Sequence, residues 1–135
     1  KPFCDPHPRI VHLPATVDLA RKTRFVQTCD AMLHARREGE TFGLACAEFS
    51  IRHKPVITWL GSPDLFHVEV LGTKGLYYKG PDDLRRILRV FRPVRGDFDA
   101  YSERFAPAVV MRQFDEVFLR PARSPRTASP EVAHV

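Results

Sequence analysis

Residues 31–60 read AMLHARREGETFGLACAEFSIRHKPVITWL, and this run decides the fold. Its ends, Ala31–His34 and Pro55–Leu60, are short apolar stretches, the pattern of buried strands. Between them Thr41 to Arg52 predicts a helix, apolar on most sides and therefore buried. Lys54-Pro55 stops it, because a residue before proline avoids the helical region. Ala35 to Glu40, polar and containing Gly39, connects the first strand to the helix.

The alternation continues in both directions. Upstream, Lys1 to Pro8 is a proline-broken loop. Arg9 to Leu13 predicts a short strand, and Thr16 or Val17 to Thr28 a helix with Val17, Leu19, Ala20, Phe25 and Val26 on one face. Downstream, Gly61 to Asp64 is a turn, with Ser62 or Asp64 capping a short helix that ends near Leu71. Gly75–Tyr78 predicts a strand. Gly80-Pro81-Asp82 opens another helix, since proline is tolerated in a first turn and Asp82 and Asp83 suit the positive helix end. Leu84, Ile87, Leu88 and Phe91 form its apolar stripe. Phe98 to Arg120 predicts a further helical stretch, with Pro107 either ending one helix or starting another and with Val110, Phe114, Val117 and Phe118 as its apolar face. Pro121 to Val135 has little to bury and predicts a disordered tail. Strand and helix alternating in this way imply an α/β fold: a mostly parallel sheet flanked by helices. Ligands of such sheets bind beyond the carboxyl ends of the strands, which places the loop after Ala31–His34 at a candidate site.

Composition narrows the function. The 135 residues fit one domain, and a 44% hydrophobic content can build a core. A net charge of +5, from 21 basic and 16 acidic side chains, suits an anionic ligand. No block of like charge or recognised motif points to nucleic acid. Three widely spaced cysteines do not make a disulfide framework. With no apolar run of membrane-spanning length and no signal pattern, the expectation is a cytoplasmic protein without a transmembrane segment, peripheral membrane contact being allowed. Because the chain begins at Lys1, we read it as a processed product or a piece of a longer frame.

Within the central run, Glu40 and Glu48 bracket Thr41, Phe42, Gly43 and Leu44. On a continuous helix a separation of eight residues is just over two turns, so both carboxylates would project to one side. Gly43 lets a ligand approach the backbone closely, and the N–H groups of Phe42, Gly43 and Leu44 can receive an anion. Glu48 can accept the hydroxyls of a ribose, and His34 ends its strand beside the site. Arg36 and Arg37 are either solvated loop residues or contacts to a diphosphate. The plain alternative is a helix-start carboxylate at Glu40 and a paired surface residue at Glu48.

The pattern resembles the Glu-seven-Glu motif of retaining glycosyltransferases with the GT-B fold, especially the large family four. The likeness runs from about Arg9 to Phe91. It includes the helix leading to Cys29-Asp30, the Glu-x-Phe-Gly helix, the Pro55-Val56 strand, and the stretch LGTKGLYYKGPDDLRRIL. The resemblance implies that residues 1–120 are a partial, Rossmann-like donor-binding domain, the C-terminal half of a GT-B fold, followed by a tail at 121–135. It implies that Glu40 is the catalytic candidate and contacts the donor sugar. Phe42, Gly43 and Leu44 would meet sugar or diphosphate, and Glu48 would hold the ribose. Thr41 and His34 join them as candidate substrate-binding residues. The implied donor is a UDP- or GDP-linked sugar, transferred with retention to an acceptor glycan, lipid or small molecule. No cofactor or metal is implied.

The chain departs from that family in several places. The family's diphosphate-clamping Arg and Lys, and its acceptor domain, lie before the segment present here. This implies that the chain alone is inactive. Phe49-Ser50 follow the second Glu where small residues are usual, and His67 stands where many members carry Glu. A non-catalytic α/β module that binds a nucleotide or a protein is the competing expectation.

Overall fold

The computed structural model describes residues 7–120. Among them the chain builds α1 (Leu19–Thr28), β1 (Met32–His34), α2 (Leu44–Ser50), β2 (Val56–Trp59), α3 (Phe66–Leu71), β3 (Leu76–Tyr78), α4 (Pro81–Val90), α5 (Ser102–Phe105) and α6 (Pro107–Phe114). The strands form a parallel sheet in the order β1-β2-β3. His34 stands opposite Thr58, and Thr58 opposite Tyr77. The fold is therefore α/β, a three-stranded parallel sheet flanked by helices. The expected tail at 121–135 lies outside the described residues.

Alternation along each strand sorts the faces. Val56 packs with Cys46 of α2, Val70 and Leu71 of α3, and Tyr101, with Met32, Phe42 and Phe66 around them. This is the core. It also takes in polar groups: Ser50, Thr58 and His67 are each 0% exposed. Ser50 has a clear reason to be there. Its hydroxyl donates to the Phe98 carbonyl (2.7 Å) and accepts from the Ala100 N–H (2.9 Å), holding an irregular strand-side segment that has no ladder of its own.

Several boundaries differ from the sequence expectation, each for a physical reason. Arg9–Leu13 is not a strand. Among the described residues it joins no sheet, and Val11 and Leu13 stay exposed. The first helix begins at Leu19, two residues past Val17, because Asp18 accepts hydrogen bonds from the Ala20 and Arg21 N–H groups at 2.8 and 3.1 Å. α2 begins at Leu44 instead of Thr41, since Gly43 takes a left-handed backbone at φ 80° and interrupts right-handed helix there. It also ends earlier, at Ser50. Neither Ser62 nor Asp64 caps α3; both are engaged with the loop after β1. Pro81 opens α4 as expected. Helix begins at Ser102 and not Phe98, since residues 98–101 are irregular, and Pro107 opens α6, one of the two expected placements. The apolar face of that stretch is largely uncovered, with Val110, Phe114, Val117 and Phe118 exposed.

Candidate functional site

The loops after β1 and β2 are joined by backbone. Gly39 and Asp64 form a parallel bridge beyond the ends of the strands. The Glu40 N–H donates to the Asp64 carbonyl at 3.1 Å, and the Asp64 N–H donates to the Glu38 carbonyl at 3.2 Å. Ser62 Oγ adds a bond to the Arg36 carbonyl at 3.2 Å. Gly39 makes the approach possible, because a Cβ there would lie 1.9 Å from the Asp64 oxygen. Glu40 is thus set at the carboxyl end of the sheet by main chain.

Its carboxylate meets two bases. Arg36 Nη1 donates to Glu40 Oε1 at 2.9 Å, and His34 Nε2 lies 3.5 Å from the same oxygen. The second contact is long for a hydrogen bond and correspondingly weak. Burial by itself would raise the Glu40 carboxyl; the bonds and charges of Arg36 and His34 outweigh it and hold the group below its ordinary value.

Behind Glu40 lies a buried polar chain. His34 Nδ1 is 3.0 Å from Thr58 Oγ1, and Thr58 Oγ1 is 2.9 Å from His67 Nε2. The two imidazoles sit 4.8 Å apart, tilted by 60°. Strand register brings His34 to Thr58, and the first turn of α3 brings His67 down onto both. His67 is held below the ordinary imidazole range, first by burial and then by the nearby His34, against a smaller opposing effect of Glu40. Burial, with the Glu40 charge adding to it, pushes the Cys46 thiol up to about 12. His34 Nε2 and His67 Nδ1 are buried without a hydrogen-bond partner among the described residues.

The Phe42–Gly43 turn closes the near side. Tyr101 donates its phenol hydrogen to the Phe42 carbonyl at 2.9 Å. The Phe42 ring meets Tyr101 and Phe105 edge-on, at 5.6 and 4.8 Å between centroids. Thr41 and Leu44 face solvent at the start of α2, Leu44 being 70% exposed. Its first N–H groups lack partners within the helix, as at any helix start.

Glu48 lies elsewhere. It pairs with Lys22 of α1, beside a cleft of about 50 Å³ lined by Leu19, Thr23, Val26 and Arg52. Ligand pockets run to roughly 300–1,000 Å³, so this one is closed to a ribose while the pair is made. Glu40 stands before the left-handed Gly43 and outside α2. The two-turn argument for a shared side therefore does not apply, and the two glutamates share no bonding partner here. A larger cleft of about 480 Å³, lined by Asp30, Arg52, His53, Lys54 and Arg95, is at the opposite, amino end of the strands.

The structure links His34, Glu40, Phe42 and Gly43 through one network of contacts, leaves Thr41 and Leu44 exposed beside it, and pairs Glu48 with Lys22 instead. It adds Arg36, Thr58, His67 and Tyr101. Arg36 stood in the sequence as an open alternative. His67 was visible only as a departure from a family pattern. Thr58 and Tyr101 carried no signal beyond strand and core composition.

Among the described residues, no group of three His, Cys, Asp or Glu gathers to hold a metal ion, and no helix is long and apolar enough to cross a membrane. Cys29 and Cys46 are free thiols. Fold and site together define an α/β protein with a carboxylate–imidazole cluster at the carboxyl end of a parallel sheet. Comparison with protein-family models, curated proteins and solved structures gave no significant match.

Proposed function

We propose that the chain is the nucleotide-sugar-binding part of a GT-B-type glycosyltransferase. The observation that carries this reading is Glu40: an ionised carboxylate, fixed by main chain at the carboxyl end of a parallel sheet, where ligands of such sheets bind. An ionised carboxylate only accepts hydrogen bonds, so its natural partner is a hydroxyl of the donor sugar. Gly43 and the first N–H groups of α2 lie three to four residues on and suit the sugar or the diphosphate. Arg36 adds a cation beside them, and Arg37 follows it in the loop. In the proposed reaction the diphosphate leaves toward these cations and backbone dipoles as the sugar passes with retention to an acceptor glycan, lipid or small molecule. Glu48 serves the ribose only after leaving Lys22.

Calorimetric titration with UDP, GDP and their sugar conjugates tests the proposal. One nucleotide sugar should bind saturably. Glu40→Ala should reduce its advantage over the bare nucleotide, and Glu48→Ala should weaken both. The Lys22–Glu48 pair and the uncovered Phe114 and Phe118 favour a second reading, a non-catalytic module that binds a nucleotide or a protein partner. A folded chain that ignores every nucleotide would leave the protein-binding form of that reading.

A further inference from the structure

His34, Thr58 and His67 come from β1, β2 and α3 and are 6%, 0% and 0% exposed. Apolar side chains of similar volume would fill this space without desolvating ring nitrogens and a hydroxyl. The contacts therefore require an account beyond packing. Thr58 has one hydroxyl proton. It donates to one imidazole and accepts from the other, so the two rings do not choose their tautomers independently.

With both rings neutral, two settings satisfy both short contacts. In the first, His67 Nε2–H donates to Thr58 Oγ1, Thr58 donates to His34 Nδ1, and His34 Nε2–H faces Glu40 Oε1. In the second, every bond reverses: His34 Nδ1–H donates to Thr58, Thr58 donates to His67 Nε2, and a His34 lone pair faces the Glu40 oxygen. The groups around the chain decide between them. Glu40 and Arg36 come from the loop after β1, Cys46 from α2, Tyr77 from β3, and Tyr101 from the segment before α5. The Cys46 thiol and both phenols are raised and stay neutral near pH 7. Glu40 is ionised, which makes the second setting repulsive at His34; its main-chain carbonyl acts on His67 in the opposite sense but makes no hydrogen bond to His67 Nδ1, so the charge selects the first setting.

We propose that His67, Thr58 and His34 form a tautomer lock that presents His34 Nε2–H to Glu40 and so positions its carboxylate to accept a hydroxyl of the donor sugar. The three are positioning residues. The lock itself follows from the contacts, and its service to a sugar rests on the donor-site reading above. An imidazole oriented through its far nitrogen is a familiar device for aiming a polar group.

The lock predicts a signal at a distance. Imidazole nitrogen NMR on the whole chain, at a pH where both rings are neutral, should show both as Nε2–H tautomers. Glu40→Leu, which keeps the backbone, should move His67 toward a mixture with Nδ1–H, although the two side chains are separated by His34 and Thr58. Thr58→Ser should preserve this coupling, and Thr58→Val should abolish it. A His67 already in the Nδ1–H form, or unmoved by Glu40→Leu, overturns the lock. If Thr58→Val fails to fold, the wild-type, Glu40→Leu and Thr58→Ser spectra still decide.

The ligand arm uses UDP- and GDP-sugars against the bare nucleotides. Thr58→Val should cut the sugar's advantage by roughly tenfold, the value of one charged hydrogen bond, and Thr58→Ser should retain it. An equal loss for sugar and nucleotide marks a merely structural role and overturns the positioning. Failure of every nucleotide to bind the wild-type chain refutes the donor-site reading and the sugar-positioning role, while the spectra still judge the lock.

Discussion

The Tyr101 hydroxyl reaches the Phe42 carbonyl across 59 residues of sequence, at 2.9 Å. Tyr101 is 2% exposed and packs against the core, so the bond ties the turn before α2 to the segment leading into α5. Tyr101→Phe keeps the ring and removes the bond. We expect a loss of about 1 kcal/mol in denaturant unfolding, the net worth of one such bond. No measurable loss would mean that water replaces the phenol without cost.

Gly43 combines two constraints. Its φ is 80°, and a Cβ there would lie 2.8 Å from His67 Cβ and 3.1 Å from the Tyr101 hydroxyl. Gly43→Ala should destabilise the chain by roughly 1–3 kcal/mol through backbone strain and crowding. It should also disturb the His67 ring signals. A stability within a few tenths of wild type would show that the turn relaxes to a different backbone.

Lys22 and Glu48 make a partly exposed pair, with side chains 42% and 35% exposed. Pairs of this kind are worth roughly 0–1 kcal/mol, so Lys22→Ala should hardly change the unfolding midpoint. It frees Glu48. If Glu48 holds the ribose, nucleotide affinity should rise in Lys22→Ala and fall in Glu48→Ala. A fall in both would place Lys22 itself on the ligand.

Titration should bound stability on both sides. The His67 imidazole is lowered from 6.5, chiefly by burial, so the unfolded chain takes up its proton first. Stability is complete above about pH 6.5 and declines as the pH falls below it. Glu40, lowered from 4.5, adds a second decline below that value. The thiol of Cys46 behaves oppositely. It is raised from 9.0 to about 12, so its contribution is complete below pH 9 and is lost as the pH climbs toward 12. Urea midpoints from pH 4 to 11 check both limbs. His67→Leu should flatten the first acid step, and Cys46→Ala should soften the alkaline one.

How much of this was legible in the sequence follows from the range of each interaction. The strands at β1, β2 and β3 and the start of α4 are local: apolar runs, Pro55, and Pro81 followed by acids. The α/β class follows from their order. The run Arg9–Leu13 has the same composition as a strand but joins no sheet among the described residues, and joining a sheet is not a local property. Gly43 was read in the sequence as a place of close ligand approach inside the helix; its positive φ, and the later helix start that follows from it, go with the tertiary contacts to Tyr101 and His67. The cluster around Glu40 was legible only in part. Glu40 stood out by its spacing to Glu48 at a loop–helix junction, and His34 by its place at the end of a strand. Thr58 and His67 join them only through register and through the angle at which α3 descends.

The bridge beyond the strands has a bearing on how tolerant this site is to substitution. Glu40 is located through the amide and carbonyl of residue 64, and neither bond uses the aspartate side chain. The genetic code can therefore write many residues at position 64 without moving Glu40, proline excepted, because its missing N–H would release Glu38. The whole constraint falls on Gly39, where any side chain collides with residue 64. The position of the acid is thus written in a neighbour that has no side chain at all, while the residue that makes the bonds is free to drift.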